Sequence, residues 1–215
     1  MIIADPKSHD EWLASRQKGM GGSDAACVIG KNKYKSNLQL WEEKVGISKP
    51  PDISDRPAVA YGKAAEAHIR ELFKLDYPDF NIDYHEYRMY ANDDYPFIFA
   101  TLDGEITDNC SKGILEIKTA TIRNAVQWND WEDDLIPQNY FVQLIHQLAA
   151  TGWDFAILRA YIRYHKNNRL FATVKDYKIE RSDVSEEISF LIEKELEFWE
   201  HIQNKTKPAL ILPEI

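Results

Sequence analysis

Cysteine is nearly missing from this chain: Cys27 and Cys110 are the only two in 215 residues. Two thiols are too few for a disulfide framework or for a four-cysteine zinc or iron–sulfur site, and neither is assigned a role. Long apolar runs are missing as well. No stretch approaches the roughly 18 residues of a membrane span, and the start "MIIADPKSHDEW" lacks the charged-then-apolar layout of a secretory signal, so the expectation is a cytoplasmic protein without a membrane partner. Positive charge is in deficit, with 26 Lys and Arg against 35 Asp and Glu. The net charge of −9 argues against a nonspecific nucleic-acid coat, but it leaves room for an enzyme whose bound cations and local basic clusters offset the repulsion. The six histidines show no metal-ligand spacing, which argues against zinc. Of these, His165 reads as part of a turn, His201 as an exposed helix residue and His146 as a packing residue.

What is present is the composition of a globular protein, 44% hydrophobic and 12% aromatic. Its length suits one domain, taken as 1–215, with the motifs in a core of about 8–180 and a C-terminal helix and tail over 182–215. Ser8 and Glu11 form a capping-box pattern for a first helix that stops at Gly19, with Arg16 and Lys18 in its last turn. Ser23 reads as the N-cap of a helical stub ending at Gly30, and the same design recurs from Ser36 to Gly46. After a Pro-rich connection come the helical "AVAYGKAAEAHIRELFKL" and then the strands "FNIDYHEYRMYA", "FIFATLDGEI" and "GILEIKTA". A helix from about Pro137 to Gly152 follows, then two strands joined by an Asn167-Asn168 turn. A long helix from Ser182 toward Pro208 carries an apolar stripe of Val184, Ile188, Leu191, Ile192, Trp199 and Ile202.

One strand stands out. In "GILEIKTA" the alternation of side chains sends Glu116 and Lys118 to one face, and Leu115, Ile117 and Thr119 to the other. Asp103, in the Asp-Gly turn expected to end the preceding strand, reaches the same place if the two strands form a hairpin. Carboxylates brought together repel, and a hard divalent cation with oxygen ligands removes that conflict, with the Ile117 main-chain carbonyl as a further oxygen. A lysine beside such a cation suits phosphodiester hydrolysis by an activated water. An isolated Glu-x-Lys is more often a surface ion pair, so the neighbours matter. Glu66 shares a helix stripe with Gly62, Ile69 and Phe73 and reads either as an internal salt bridge to Lys118 or as a further site acid. Tyr140, Gln143 and Gln147 share one face of the later helix, where Gln143 reads either as part of a wet face or as a holder of water or phosphate.

Five stretches in order, "GMGGSDAACVIGKNKYKSNLQLWEEKVG", "YGKAAEAHIRELF", "ATLDGEI", "GILEIKTA" and "PQNYFVQLIHQLAATG", together resemble the YqaJ-like viral recombinases, relatives of phage lambda exonuclease in the PD-(D/E)xK nuclease superfamily. The resemblance implies an α/β fold with a restriction-endonuclease-like core, a central mixed sheet flanked by helices, and an active site at one sheet edge. It implies a Mg²⁺-dependent deoxyribonuclease, with Mn²⁺ able to substitute, that digests linear double-stranded DNA from the 5′ end. The 3′ single-stranded overhangs left behind serve phage-type homologous recombination. By position, Asp103 and Glu116 correspond to the metal ligands together with the Ile117 carbonyl, Lys118 to the catalytic lysine, Glu66 to the helix acid and Gln143 to the helix glutamine. Arg16 and Ser23 are similar to residues that hold the terminal 5′ phosphate. The partners implied are a homo-trimeric ring around DNA and a single-strand annealing recombinase, in a phage or prophage setting within a bacterial host. Leu102 departs from the family's frequent proline before the aspartate, and the connection from Asp103 to Glu116 is longer than in some members. The alternatives are an endonuclease of the same superfamily and a catalytically inactive fold that binds DNA or protein.

Overall fold

The computed structural model describes residues 1–212. The elements run β1 (Ile2–Ala4), α1 (His9–Arg16), α2 (Gly22–Val28), α3 (Asn37–Lys44), α4 (Pro57–Asp76), β2 (Asn81–Asp83), β3 (Met89–Ala91), β4 (Phe99–Ala100), β5 (Gly104–Asp108) and β6 (Ser111–Ile122). They continue with α5 (Ala125–Asn129), α6 (Gln138–Thr151), β7 (Phe155–Lys166), β8 (Arg169–Glu180) and α7 (Ser185–Gln203). The main sheet has the order β2-β5-β6-β7-β8, and a small sheet has the order β1-β3-β4. Only β6 and β7 pair in parallel in the main sheet, because their connection crosses over through α5 and α6, whereas β5–β6 and β7–β8 are antiparallel hairpins.

Helices cover both faces of this sheet. On one face, Ile69 and Phe73 of α4 pack with Ile82, Ile106, Leu115, Ile117, Phe155 and Ile157. On the other, Leu144, Ile145 and Leu148 of α6 pack with Ile114, Leu158, Ala160 and Ile162, and Ile188 and Leu191 of α7 close the layer. β6 is therefore buried on both sides, as a central strand between two helical layers should be, and a charge on it is costly unless answered. No helix among the described residues is long and apolar enough to cross a membrane.

Local signals explain most element ends. Ser8 caps α1, accepting from the Glu11 amide at 3.3 Å, although the Glu11 carboxylate returns to the Lys7 amide (2.8 Å) instead of closing the box on Ser8. Ser36 and Gln39 close a full capping box on α3. α6 starts after Pro137 and ends on Gly152, whose φ of 69° is the left-handed conformation of a C-terminal glycine. Asn167 and Asn168 both have positive φ (51° and 57°), as a two-residue hairpin turn requires, and they join β7 to β8.

Several expectations are corrected. The stretches over 80–91 and 97–106 do not form one strand each: β2 and β5 join the main sheet, while β3 and β4 form the small one with β1. Asp103-Gly104 is not a strand-ending turn; it opens β5, and the β5–β6 hairpin turns at Asn109 and Cys110, with Asn109 at φ 46°. His165 lies in β7, not in the turn. A 3-10 turn over Arg181–Val184 precedes α7, and the buried side of that helix also includes Phe198 and the carboxylate of Glu195. The last residues of the C-terminal tail, 213–215, lie outside the described residues.

Candidate active site

Glu116 projects from the middle of the central strand β6 toward α6 and is 3% exposed. Buried carboxylates need donors, and three converge here. Gln143 Nε2 donates to Oε1 at 2.7 Å, Gln147 Nε2 donates to Oε2 at 2.6 Å, and Lys118 Nζ donates to Oε1. The two glutamines meet the same carboxylate because four residues of helix return to one face. Lys118 also stands 5.4 Å from the centre of the Tyr140 ring. Burial works against its positive charge, but the carboxylates of Glu116 and Asp103 more than offset this and raise its pKa. Lys118 is therefore held as a cation.

The site is not at an outer edge of the sheet, as expected, but beside the central strand where its neighbour has not yet begun. Pairing of β5 with β6 stops at Gly104 and Leu115. Beyond that point Asp103 takes the place of a strand: its Oδ2 accepts from the Ile117 amide at 2.8 Å. Amide and carbonyl of one strand residue face the same side, so the Ile117 carbonyl opens toward Asp103. Burial raises the Asp103 pKa well above its ordinary value, and the negative charges of Glu116 and Glu66 add to the shift against the opposing pull of Lys118 and the Ile117 amide.

Glu66 approaches from α4. It does not pair with Lys118; Arg70, one turn later, donates to Glu66 Oε1 at 2.6 Å and also to the Asp103 carbonyl at 2.5 Å. The Arg70 guanidinium lies 3.5 Å from the Tyr84 ring centre. Glu66 is half-buried, and burial raises its pKa, offset in part by Arg70 and reinforced by Glu116.

Arg16 and Ser23 come together at the start of α2, which abuts Gln143 of α6. Arg16 Nη2 donates to Ser23 Oγ at 3.0 Å, and its guanidinium also lies over the Trp12 ring at 4.7 Å. Ser23 is not the N-cap expected. Gly21 holds that position, and Asp24 accepts from the Gly21 amide at 3.1 Å, leaving the exposed Ser23 hydroxyl to Arg16. Lys44 ties this corner together, its ammonium reaching the carbonyls of Arg16 (3.1 Å) and Gly19 (2.7 Å) and the Asp24 carboxylate (2.9 Å). Burial would raise the Asp24 pKa, but Lys44 and Arg16 lower it overall. A Cβ on Gly22 would sit 3.0 Å from Gln143 Cγ, so glycine there lets the start of α2 abut the helix that carries the Glu116 donors.

Asp103, Glu116, Lys118 and Gln143 thus form one cluster, with Glu66 beside it and Arg16 with Ser23 behind Gln143. The sequence places Gln147 on the Gln143 face without a site role and gives Arg70 and Lys44 none. Gln147 and Arg70 each lie four residues from an assigned group, a spacing that could have found them; Lys44 has no such signal. Among the described residues no three His, Cys, Asp or Glu side chains gather as a metal cluster. The oxygens on offer are two carboxylates and one main-chain carbonyl. That hard set fits an octahedral cation that keeps several waters, and a cation would offset the repulsion from Glu116 and Glu66 that adds to burial in raising the Asp103 pKa.

A family model described as the YqaJ-like viral recombinase domain matches residues 11–154. The chain is 33% identical over 204 residues to YqaJ of Bacillus subtilis (strain 168), covering 94% of this chain and 59% of that relative. The chain therefore spans less than two thirds of the length of that curated relative. Among solved structures it is similar to an alkaline exonuclease (LHK-Exo) from Laribacter hongkongensis, with a TM-score of 0.68, 20% identity, and coverage of 91% of this chain and 93% of that one. The same enzyme in complex with dAMP is similar with a TM-score of 0.62. At that identity the likeness shows the fold: a mixed sheet flanked by helices, as in the alkaline exonuclease.

Proposed function

The chain belongs to the YqaJ-like viral recombinase domain family, and from that premise we propose that it is a Mg²⁺-dependent deoxyribonuclease that digests linear duplex DNA from its 5′ ends. The observation that carries this reading is the buried Glu116 carboxylate, joined by a cationic lysine and two glutamine amides and placed beside Asp103 and the Ile117 main chain. A purely structural ion pair does not need a second carboxylate whose ionisation the site itself opposes. The alkaline exonuclease activity of the structurally similar LHK-Exo is consistent with it.

In this proposal Asp103, Glu116 and the Ile117 carbonyl hold the cation. When bound, the cation supplies positive charge to the scissile phosphate and lowers the pKa of a water. Lys118, kept charged by its carboxylate neighbours, stabilises negative charge developing on a phosphate oxygen. Glu66, restrained by Arg70, borders the space where water and phosphate meet, and Gln143 fixes the Glu116 oxygen nearest Lys118. Hydrolysis forms a bond from water oxygen to phosphorus and breaks the bond from phosphorus to the 3′ oxygen. The first nucleotide leaves with a 3′ hydroxyl, and the strand is left with a new 5′ phosphate. Repetition leaves 3′ single-stranded overhangs for an annealing recombinase, and a homo-trimeric ring around the duplex would keep the enzyme on it. Mn²⁺ is expected to replace Mg²⁺.

The test is incubation with linear and with covalently closed circular duplex, in Mg²⁺ and in chelator. Loss of linear DNA alone, in Mg²⁺ alone, is the expected result. Nicking or cutting of the circle would make the enzyme an endonuclease, and binding without cleavage would make it an inactive fold.

Arg16 with Ser23 is proposed to read the 5′ phosphate. The planar guanidinium, beside an exposed hydroxyl at the start of the seven-residue α2, carries the recognition. Losing a charge-assisted phosphate contact costs about 1.5–3 kcal/mol, which corresponds to about a ten- to hundredfold loss. Arg16→Ala should therefore slow digestion of 5′-phosphorylated ends by that factor and affect 5′-hydroxyl ends far less. Matched duplexes digested by wild type and variant check this, and an undiminished phosphate preference would remove Arg16 from the site.

A further inference from the structure

A carboxylate has two oxygens and about four lone-pair directions in which it can accept. On Glu116, Oε1 accepts from both Lys118 and Gln143 and is filled, whereas Oε2 accepts from Gln147 alone. The one lone pair left on this carboxylate is on Oε2, and among the described residues Gln147 is the side chain that sets its direction. We infer that Gln147 is a positioning residue that turns Glu116 so that this lone pair, and no other, is offered to the divalent cation. The inference rests on the metal-dependent reading above and deepens it: Glu116 becomes a ligand through one oxygen.

Three features separate Gln147 from Gln143. Gln147 is 1% exposed and buried beside the carboxylate, while Gln143 is half-buried and shares its Glu116 oxygen with Lys118. The Gln147 Oε1 is itself buried without a hydrogen-bond partner, so the amide is not there to satisfy itself. Its N–H₂ end is kept on Glu116 because the reversed amide would set oxygen against a carboxylate oxygen. Finally, Gln147 stands on a fixed platform. Its neighbour His146 is fully buried, with Nδ1 2.6 Å from Glu195 Oε1 on α7 and Nε2 2.8 Å from the Phe99 carbonyl, which pins α6 in both directions.

Gln147→Met removes the donor and keeps the volume. Supporting hydrogen bonds to metal ligands are generally worth about ten- to hundredfold in metal affinity. Calorimetric titration of the full chain with Mg²⁺ should show a loss of that size in the variant, and the Mg²⁺ concentration giving half-maximal cleavage should rise in step. Binding of duplex in chelator should stay at the wild-type level. A purely structural glutamine would give a different pattern: a lower unfolding midpoint with unchanged Mg²⁺ affinity, which would overturn the inference. A measurement on the unaltered chain covers the case of a variant that does not fold. The side-chain amide resonances of Gln147 should shift as Mg²⁺ saturates the wild type and stay still in Asp103→Asn; no shift in the wild type would also overturn it. If the wild type binds Mg²⁺ and cleaves DNA while Gln147→Met matches it, only the role of Gln147 falls. If the wild type neither binds Mg²⁺ nor cleaves, the nuclease reading falls with it.

Discussion

Glu116→Gln is expected to slow single-turnover cleavage by about a thousandfold or more while leaving the fold and duplex binding in chelator intact. Removing the negative charge forfeits several kcal/mol of cation binding and transition-state stabilisation, and each 1.4 kcal/mol is a factor of ten. Stability should survive for a reason specific to this site. The substituted amide can keep its oxygen toward Lys118 and Gln143 and point its N–H₂ at Gln147, whose own unpartnered oxygen accepts it after a half-turn of the Gln147 amide. Alanine at this position would instead leave three donors facing a void, so it confounds folding with chemistry. A cleavage rate within tenfold of the wild type, for a variant with an unchanged unfolding midpoint, would show that Glu116 is not a ligand. Asp103→Asn is expected to fall by a comparable factor, because it removes the second anion.

Glu195→Ala should be the most damaging substitution to stability. His146 and Glu195 are both fully buried and bonded to each other at 2.6 Å across the α6–α7 interface. Removing one member of a buried ion pair leaves the other uncompensated, at a cost of about 3–5 kcal/mol. Burial by itself would lower the His146 pKa, but the Glu195 carboxylate and the Phe99 carbonyl outweigh it and raise the value in the folded protein. A group that binds its proton more tightly when folded stabilises the fold fully below its ordinary value, 6.5 for this histidine, and loses that contribution as pH climbs through the raised one. Urea unfolding at about pH 6 and about pH 9 should therefore show a larger gap between wild type and Glu195→Ala at the lower pH. A gap that is equal at the two values would mean that His146 is not protonated in the folded protein.

The parts of this molecule that could be read from sequence are those fixed by short-range physics. A two-residue period puts Glu116 and Lys118 on one strand face, a helical period gathers Tyr140, Gln143 and Gln147, and Ser36, Gly152 and the Asn167-Asn168 pair mark where elements end. Reading failed where two local choices competed or where the partner was distant. Ser23 looks like a good cap, but Gly21 takes the position because Asp24, held by Lys44, bonds back to the Gly21 amide. Whether Asp103 ends one strand or begins the next depends on which residue of β6 pairs with Gly104, and nothing within Asp103-Gly104 itself encodes that register. Segment 80–91 looks continuous until β1, from the start of the chain, takes β3 into a separate sheet. Nothing near Glu195 in the sequence marks it, since its histidine lies 49 residues away.

Lys44 shows how little room such a corner leaves for sequence drift. An ammonium has three N–H bonds, and here all three are spent, on the Arg16 and Gly19 carbonyls between α1 and α2 and on the Asp24 carboxylate in the first turn of α2. The geometry is that of a compact tripod. A guanidinium has its donors in one plane and cannot reproduce it, so arginine, ordinarily the gentlest replacement for lysine, is among the worst here. Glutamine or methionine would strand a buried aspartate without its counter-charge. Position 44, which bears no chemistry of its own, should therefore tolerate fewer amino acids than Ser23, and if Arg16 and Ser23 read the DNA end as proposed, the first sign of its loss would be a weakened end preference, before any loss of cleavage.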